Sequence, residues 1–265
     1  EVASPPPILA YHYSTNGRCA AYCKETIFAQ QPNGSIILQY NSLGADAARS
    51  AEGQWVQFHI PPEAEYIQGE TLALQLLRIV TRDNWRIEEV GVFLRQYLAI
   101  IKSFLVKEGY LVSYESVASL LPGICFDLVP QNIICSKDGT HQIIDKEWTI
   151  KCDIPLGWML LRILLLLISS LTHFGRTSSS FTETRLGFWI AAIQAARFAV
   201  TKEQLDSFAA LESKIQAEIH GLVNIPTGAF QWAPEAPLPC YSLHHALADT
   251  EQRLTNTEQR LTGTE

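Results

Sequence analysis

Seventeen consecutive residues, Pro155–Leu171 (PLGWMLLRILLLLISSL), carry a single charge, Arg162. A helix that is apolar on every side has no face to give to water. It belongs either in a bilayer or at the centre of a protein large enough to surround it. The run falls short of the roughly 20 apolar residues that cross a bilayer, and a charge in its middle is costly there. A buried central helix is therefore expected. The chain can supply the cover: its 265 residues are 47% hydrophobic and 18% charged, enough for a large core and too apolar for a disordered chain. The net charge of −7 argues against a general electrostatic grip on nucleic acid.

Six cysteines are scattered, with Cys19 and Cys23 the only close pair and no second pair at zinc spacing. Reduced thiols, as in a cytosolic protein, are expected. The opening EVASPPPILAYHY lacks a basic start and a long apolar stretch, so it does not read as a signal peptide. Because the chain starts with Glu, it is expected to be a piece of a longer polypeptide.

Residues 1–7, with Pro5, Pro6 and Pro7, read as a linker. Strand-like runs follow: ILAYHYS, the turn STNGR, CAAYCKETIFAQQ, SIILQY and WVQFHI. Asn33-Gly34 between two of them predicts a type I′ hairpin. GADAARSAE, residues 44–52, is the expected small helix among these strands. After Gly69 the period changes. TLALQLLRIV and RIEEVGVFLRQYLAIIKSFLVKEG place apolar residues at helical spacing, with Val90, Phe93, Leu94, Tyr97, Leu98 and Ile101 on one face and Gly109 as a stop. YESVASLL is expected to be a shorter helix, and residues 156–223 are expected to be helical with a break near 175–180. In the tail, Leu247, Leu254 and Leu261 recur every seven residues, with Thr250, Thr257 and Thr264 three further on. That is a heptad, the start of a coiled coil, expected to continue beyond the last residue.

The segment that carries chemistry is PGICFDLVPQNIICSKDGTHQIIDKEW, residues 122–148. A hairpin, NIIC to HQII through Lys137-Asp138-Gly139, brings Asp145 back beside Asn132, and both beside Asp127. Two carboxylates and an amide at one point suit phosphoryl transfer from ATP. One carboxylate takes the hydrogen bond of the attacking hydroxyl; the other and the amide oxygen hold Mg²⁺ against the phosphates. The other reading of the same residues is an ordinary polar loop flanking a hairpin.

DLVPQN followed by IIDKEW resembles the signature of the kinase-like phosphotransferases, the group that includes aminoglycoside phosphotransferases and choline kinases. With the trailing Glu147-Trp148 and the heptad tail, the chain is most similar to kinase domains fused to methyltransferases or glycosyltransferases in bacterial O-antigen and surface-polysaccharide synthesis. The resemblance implies an α+β, two-lobed protein-kinase-like fold. Its parts would be a small β-rich lobe over 8–69, with the hinge near 64–69, a helical lobe over 70–240, and a coiled-coil start over 241–265. It implies Asp127 as the catalytic base and Asn132 and Asp145 as metal ligands. It puts ATP against Gly17 of STNGR and against the hinge AEYIQGETL at Glu65, Tyr66 and Ile67. It further implies a hydroxyl-bearing acceptor such as the terminal sugar of a glycan, no nucleic acid, a homo-oligomer, and a cytoplasmic place at the inner face of the bacterial membrane, reached through partners and not through a transmembrane segment.

The chain departs from that pattern twice. Cys125-Phe126 precedes Asp127 where a His or Arg is usual. The third strand, SIILQYNSL, has no lysine for the α- and β-phosphates. Lys24, on the preceding strand, is the candidate for that role, with Glu52 as its expected partner. The departures leave two readings open: an active phosphotransferase, or a non-catalytic kinase-like domain serving as a spacer or oligomerisation platform. His244-His245 and the tryptophans Trp85, Trp148, Trp158, Trp189 and Trp232 are read as structural.

Overall fold

The structure is a computed structural model that describes residues 7–44, 49–221 and 233–239. The fold is α+β, with strands concentrated in the N-terminal part and helices in the C-terminal part. The first part contains β1 (Ile8–Ser14), β2 (Lys24–Gln30), β3 (Ile36–Ser42), β4 (Ser50–Glu52), β5 (Val56–His59), β6 (Glu63–Glu65) and β7 (Glu70–Thr71). Helices α1 (Leu72–Val80) and α2 (Ile87–Lys107) follow. Short strands come next: β8 (Leu120–Leu121), β9 (Ile133–Cys135), β10 (His141–Ile143), β11 (Trp148–Ile150) and β12 (Ile154–Pro155). Helices α3 (Leu156–Ser170), α4 (Arg185–Ala195) and α5 (Lys202–His220) complete the described chain.

β1, β2, β3 and β6 form one antiparallel sheet in that order. Two smaller sheets join strands far apart in sequence: β11 pairs with β5, and β7 pairs with β9. One buried apolar cluster runs from Tyr22 and Tyr40 through Phe58 and Trp148 to the helices. At its centre lies α3, with twelve of its fifteen residues buried. Its one charge is accommodated: Arg162 pairs with the buried Glu212 of α5 and stacks 3.8 Å from the Phe126 ring centre. Among the described residues no helix is long and apolar enough to cross a membrane.

Four expectations are corrected. The stretch over 44–52 is not a helix through its described end, since Ser50–Glu52 is a strand paired with β5. YESVASLL forms a turn and the strand β8: the Ser119 hydroxyl accepts from the amides of Glu115 and Ser116, and the Ser116 hydroxyl from that of Ala118. Serine side chains there compete with helical hydrogen bonds. CAAY is a short 3₁₀ turn, Ala20–Tyr22, before β2 begins. The Asn33-Gly34 turn is not type I′, which needs positive φ at both residues; Gly34 has φ 84° and Asn33 is not left-handed. Instead Asn33 Oδ1 accepts from the Ser35 amide and hydroxyl, within a longer loop closed by Gln31 and Ser35. The heptad residues Leu247, Leu254 and Leu261, His244-His245 and Trp232 lie outside the described residues.

One close approach fixes how the 122–132 segment meets the sheet. A Cβ on Gly123 would lie 1.8 Å from the Ile150 carbonyl oxygen, a backbone atom that cannot swing aside. Gly123→Ala is therefore expected to force β11 and the segment apart and to cost about 1–3 kcal/mol, as overpacking of a close-packed site does. Urea denaturation measures this; an unchanged midpoint would show that the contact yields freely.

Candidate functional site

The β9–β10 hairpin works as its sequence predicts. Ile143 faces Ile133, and the Ile144 amide donates to the Asn132 carbonyl at 2.8 Å, so Asp145 arrives beside Asn132. The Asn132 side-chain amide donates to the Asp127 carbonyl at 2.9 Å and to Asp127 Oδ1 at 3.3 Å, and reaches the Asp145 carbonyl at 3.5 Å. Asp127 Oδ2 accepts from the backbone amides of Glu147 at 2.7 Å and Trp148 at 3.1 Å. A carboxylate oxygen has two lone pairs, so Oδ2 is fully used and Oδ1 keeps one. Asp145 has φ 54°, a left-handed backbone that is strained for any residue but glycine.

β2 supplies the cation. Lys24 is buried, and its ammonium pairs with Asp145 and, at 2.7 Å, with Glu147. It also stands 4.9 Å over the Tyr40 ring. Glu147 is held from the other side by Arg18 at 2.8 Å. Glu52 is not the partner of Lys24: on the exposed strand β4 it bonds Lys151 at 3.0 Å instead. β4 pairs at the far side of β5, whereas Glu147, the residue just before β11, pairs with Lys24 of β2.

Three carboxylates thus face two cations, and the imbalance falls on Asp127, a buried acid that neither cation pairs with. Burial, then the charges of Glu147 and Asp145, push Asp127 up to about 7, against the pull of the two backbone amides. Burial and Asp145 also raise Glu147, although Lys24 and Arg18 oppose this. Burial alone would lower Lys24, but Glu147 and Asp145 reverse the sign and its shift is upward.

Asp127, Asn132, Asp145 and Gly17 line one cavity of about 300 Å³, together with Arg18, Glu147 and Trp148. Gly17 has φ 69°, and a Cβ there would meet the His220 ring at 2.7 Å. The STNGR loop is anchored there too, by the Cys19 amide donating to the Ile219 carbonyl at 2.8 Å. Glu65 and Tyr66 line a separate cavity of about 400 Å³ beside the β2–β3 loop, and Ile67 is half-buried next to it. The cavity at Asp127 is closed below by Arg162, Gln216 and His220, which sequence reasoning missed. Arg18 and Glu147 were missed as ion-pair partners; both sit inside segments already of interest, STNGR and IDKEW, but only the fold brings them together.

Among the described residues no three His, Cys, Asp or Glu side chains are arranged to hold a metal by themselves. The donor set still fits Mg²⁺ shared with phosphates. Asn132 uses its amide hydrogens on Asp127, which turns its oxygen away, and the Asp145 side chain is 38% exposed. Such an ion is commonly bound by one or two protein ligands plus substrate oxygens.

Compared with protein-family models, curated proteins and solved structures, the chain matches none. What the site can do rests on its own geometry.

The raised Asp127 has a stability consequence with a definite sign. Unfolded, the acid titrates near 3.8; folded, near 7. Between those values the folded chain holds a proton that the unfolded chain has released, so stability falls as pH rises through the window. Asp127→Asn removes this group from the titration. Its unfolding midpoint is expected to change less than that of wild type between about pH 4.5 and 7.5, with Glu147 supplying the slope that remains. Equal slopes would mean that Asp127 is not perturbed.

Proposed function

We propose that the chain is an ATP- and Mg²⁺-dependent phosphotransferase acting on a hydroxyl, built on a two-lobed kinase-like fold. One observation carries the reading: Asp127, Asn132 and Asp145 line one cavity, and Lys24, more than a hundred residues away in sequence, is ion-paired to Asp145. Along β2, Phe28 is four residues from Lys24, about 13 Å at strand rise. Phe28 stacks edge-on against Tyr66, so the base of a nucleotide would lie by Tyr66 and its phosphates by Lys24. Each residue then has a task. Lys24 would turn from Asp145 to the phosphates while Glu147 keeps it oriented. Asn132 and Asp145 would hold Mg²⁺, which when bound supplies charge neutralisation on the phosphates. Asp127 Oδ1 would take the proton of the acceptor hydroxyl as its oxygen bonds the γ-phosphorus and the bond to the ADP oxygen breaks. An acid titrating near 7 suits a general base at neutral pH. The acceptor we favour is the terminal sugar of a surface polysaccharide.

A second reading is favoured by a different observation. Lys24 is closed upon Asp145, and β3 offers no lysine. A non-catalytic kinase-like domain acting as a platform would keep such a pair as structure. The repeat of Leu247, Leu254 and Leu261 would then serve a parallel coiled coil. Thr at one seam position makes the present repeat weak alone, so light scattering on a chain carrying the repeat at full coiled-coil length tests that part: an oligomer is expected, and a monomer at high concentration removes the platform role.

Nucleotide and turnover separate the two readings. MgATP is expected to raise the melting temperature by mass action, and Lys24→Ala and Asp145→Ala to lose most of that rise. Asp127→Asn is expected to keep the rise while transfer to a glycan acceptor falls by about 10²–10⁴. In wild type, kcat/KM should climb with pH and level off above about 7. No melting shift at millimolar MgATP would sink the kinase reading; a shift without turnover on any acceptor would favour the platform.

A further inference from the structure

β1 closes one edge of the four-stranded sheet, and among the described residues no strand pairs with its other side. Its backbone groups can be sorted by direction. The Gln30 amide donates to the Pro7 carbonyl just before β1, and the Cys23 carbonyl accepts from the Leu43 amide just after β3. Successive residues of a strand turn their backbone groups to opposite sides. Lys24, Thr26 and Phe28 therefore face β1, and their register partners Ser14, His12 and Ala10 face back. The amides and carbonyls of Tyr11 and Tyr13 are left pointing at the open edge. Natural sheets blunt such edges with lysine, proline or a bulge. Here the bulge lies between Ile8 and Ala10 and the prolines precede Ile8, so the stretch Ala10–Ser14 carries none of these. The rings of Tyr11 and Tyr13 lie 6.4 Å apart and within 8° of parallel, and they are 52% and 54% exposed.

We propose that this edge pairs with β1 of a second copy of the chain, antiparallel about a two-fold axis at His12. The sequence of the regular stretch selects that occupant. Ala-Tyr-His-Tyr-Ser reads nearly the same in both directions, so the two-fold sets Tyr11 of each copy against Tyr13 of the other, and Ala10 against Ser14. Aromatic pairs across a ladder are favourable. Charge permits the contact even though the chain carries −7. The stretch holds no Asp, Glu, Lys or Arg, and Glu25, the acid opposite Tyr13 in the register, is bonded to Asn41 at 3.0 Å. The two copies of Glu25 would stand three strand spacings apart, about 14 Å, which is beyond the screening length at physiological salt. The contact is isologous and closes on itself, so it ends at a dimer. One five-residue ladder is smaller than the roughly 1,200 Å² of a stable interface, so the pairing is expected to reverse on dilution. The edge does not depend on Asp127 having any catalytic role.

Amide hydrogen exchange of Tyr11 and Tyr13, followed by NMR on the full chain with sedimentation of the same samples, reads the ladder directly. Where the chain sediments as a dimer, both amides are expected to exchange about ten-fold more slowly than where it sediments as a monomer. Tyr11→Pro removes a donor on the open side only, which edge strands tolerate, and should return the Tyr13 amide to fast exchange. Tyr11→Val keeps the amide and the preference for a strand, so in the dimer Tyr13 should stay slow. If Tyr11→Pro does not fold, wild type and Tyr11→Val decide alone. The proposal is overturned if both amides exchange fast at every concentration, as in a dimer held by the repeat of Leu247, Leu254 and Leu261 alone. It is also overturned if they are slow in a monomer, which would put a segment of the same chain on the edge. Slow exchange of Tyr13 in Tyr11→Pro overturns it too, as does fast exchange in Tyr11→Val, which would assign the contact to the rings and not to the ladder.

Discussion

Glu147 is a carboxylate with 3% of its side chain exposed, and four separate segments depend on it. Arg18 reaches it from the STNGR loop and Lys24 from β2. Its carbonyl accepts from the His59 amide, which ties β5 to the strand that follows it. Its own amide, with that of Trp148, holds Asp127. Burying a charge is expensive unless it is paired and hydrogen-bonded, and removing one partner leaves the other exposed to the full cost. The two cations are therefore structural requirements of Glu147 before they are anything else. This is why Lys24 can lie almost fully buried on a strand and why Arg18 lies over the Trp148 ring, 5.4 Å from its centre.

The helical part meets its constraint in a parallel way. α3 is surrounded, and its only charge sits in a closed polar knot. Arg162 and Gln216 both bond Glu212 Oε1, and the Trp158 indole donates to Oε2 at 2.6 Å. Phe126, the neighbour of Asp127, stacks on Arg162 and packs against Trp158. The knot under α3 and the ion pairs around Glu147 are thus the two floors on which the 122–132 segment rests. Gly123 lets that segment approach β11 closely enough to use both.

What could be read from the sequence was what local periodicity and turn chemistry govern. The apolar face of α2 at Val90, Phe93, Leu94, Tyr97, Leu98 and Ile101 is buried as its spacing demands. The hairpin through Gly139, which has φ 82°, sets Asp145 against Asn132. Short segments failed where side chains outbid propensity, as the serines of YESVASLL do, or where pairing decided, as β5 does for Ser50–Glu52. Ion-pair partners were beyond local reasoning. Glu52 lies on a short strand and Glu147 just before one, and only the pairing of β11 with β5 says which of them faces Lys24. Lys24 itself was reached by elimination, from the lack of a lysine on β3.

The balance of charge decides which of the ion pairs of Lys24 can open. Lys24 has two acidic partners, and they are not equivalent. Glu147 is enclosed and cannot lose its cations without stranding a buried charge. Asp145 is 38% exposed and rests on a strained backbone, so water or a cation can replace Lys24 there at much lower cost. An exchange at Asp145 leaves the Glu147 pair intact. The ammonium then stays held by Glu147, and Asp127 keeps its amides throughout. The same asymmetry sets the order in which the site would yield to competing charge: Asp145 first, Lys24 reoriented second, Glu147 and Asp127 only with the fold.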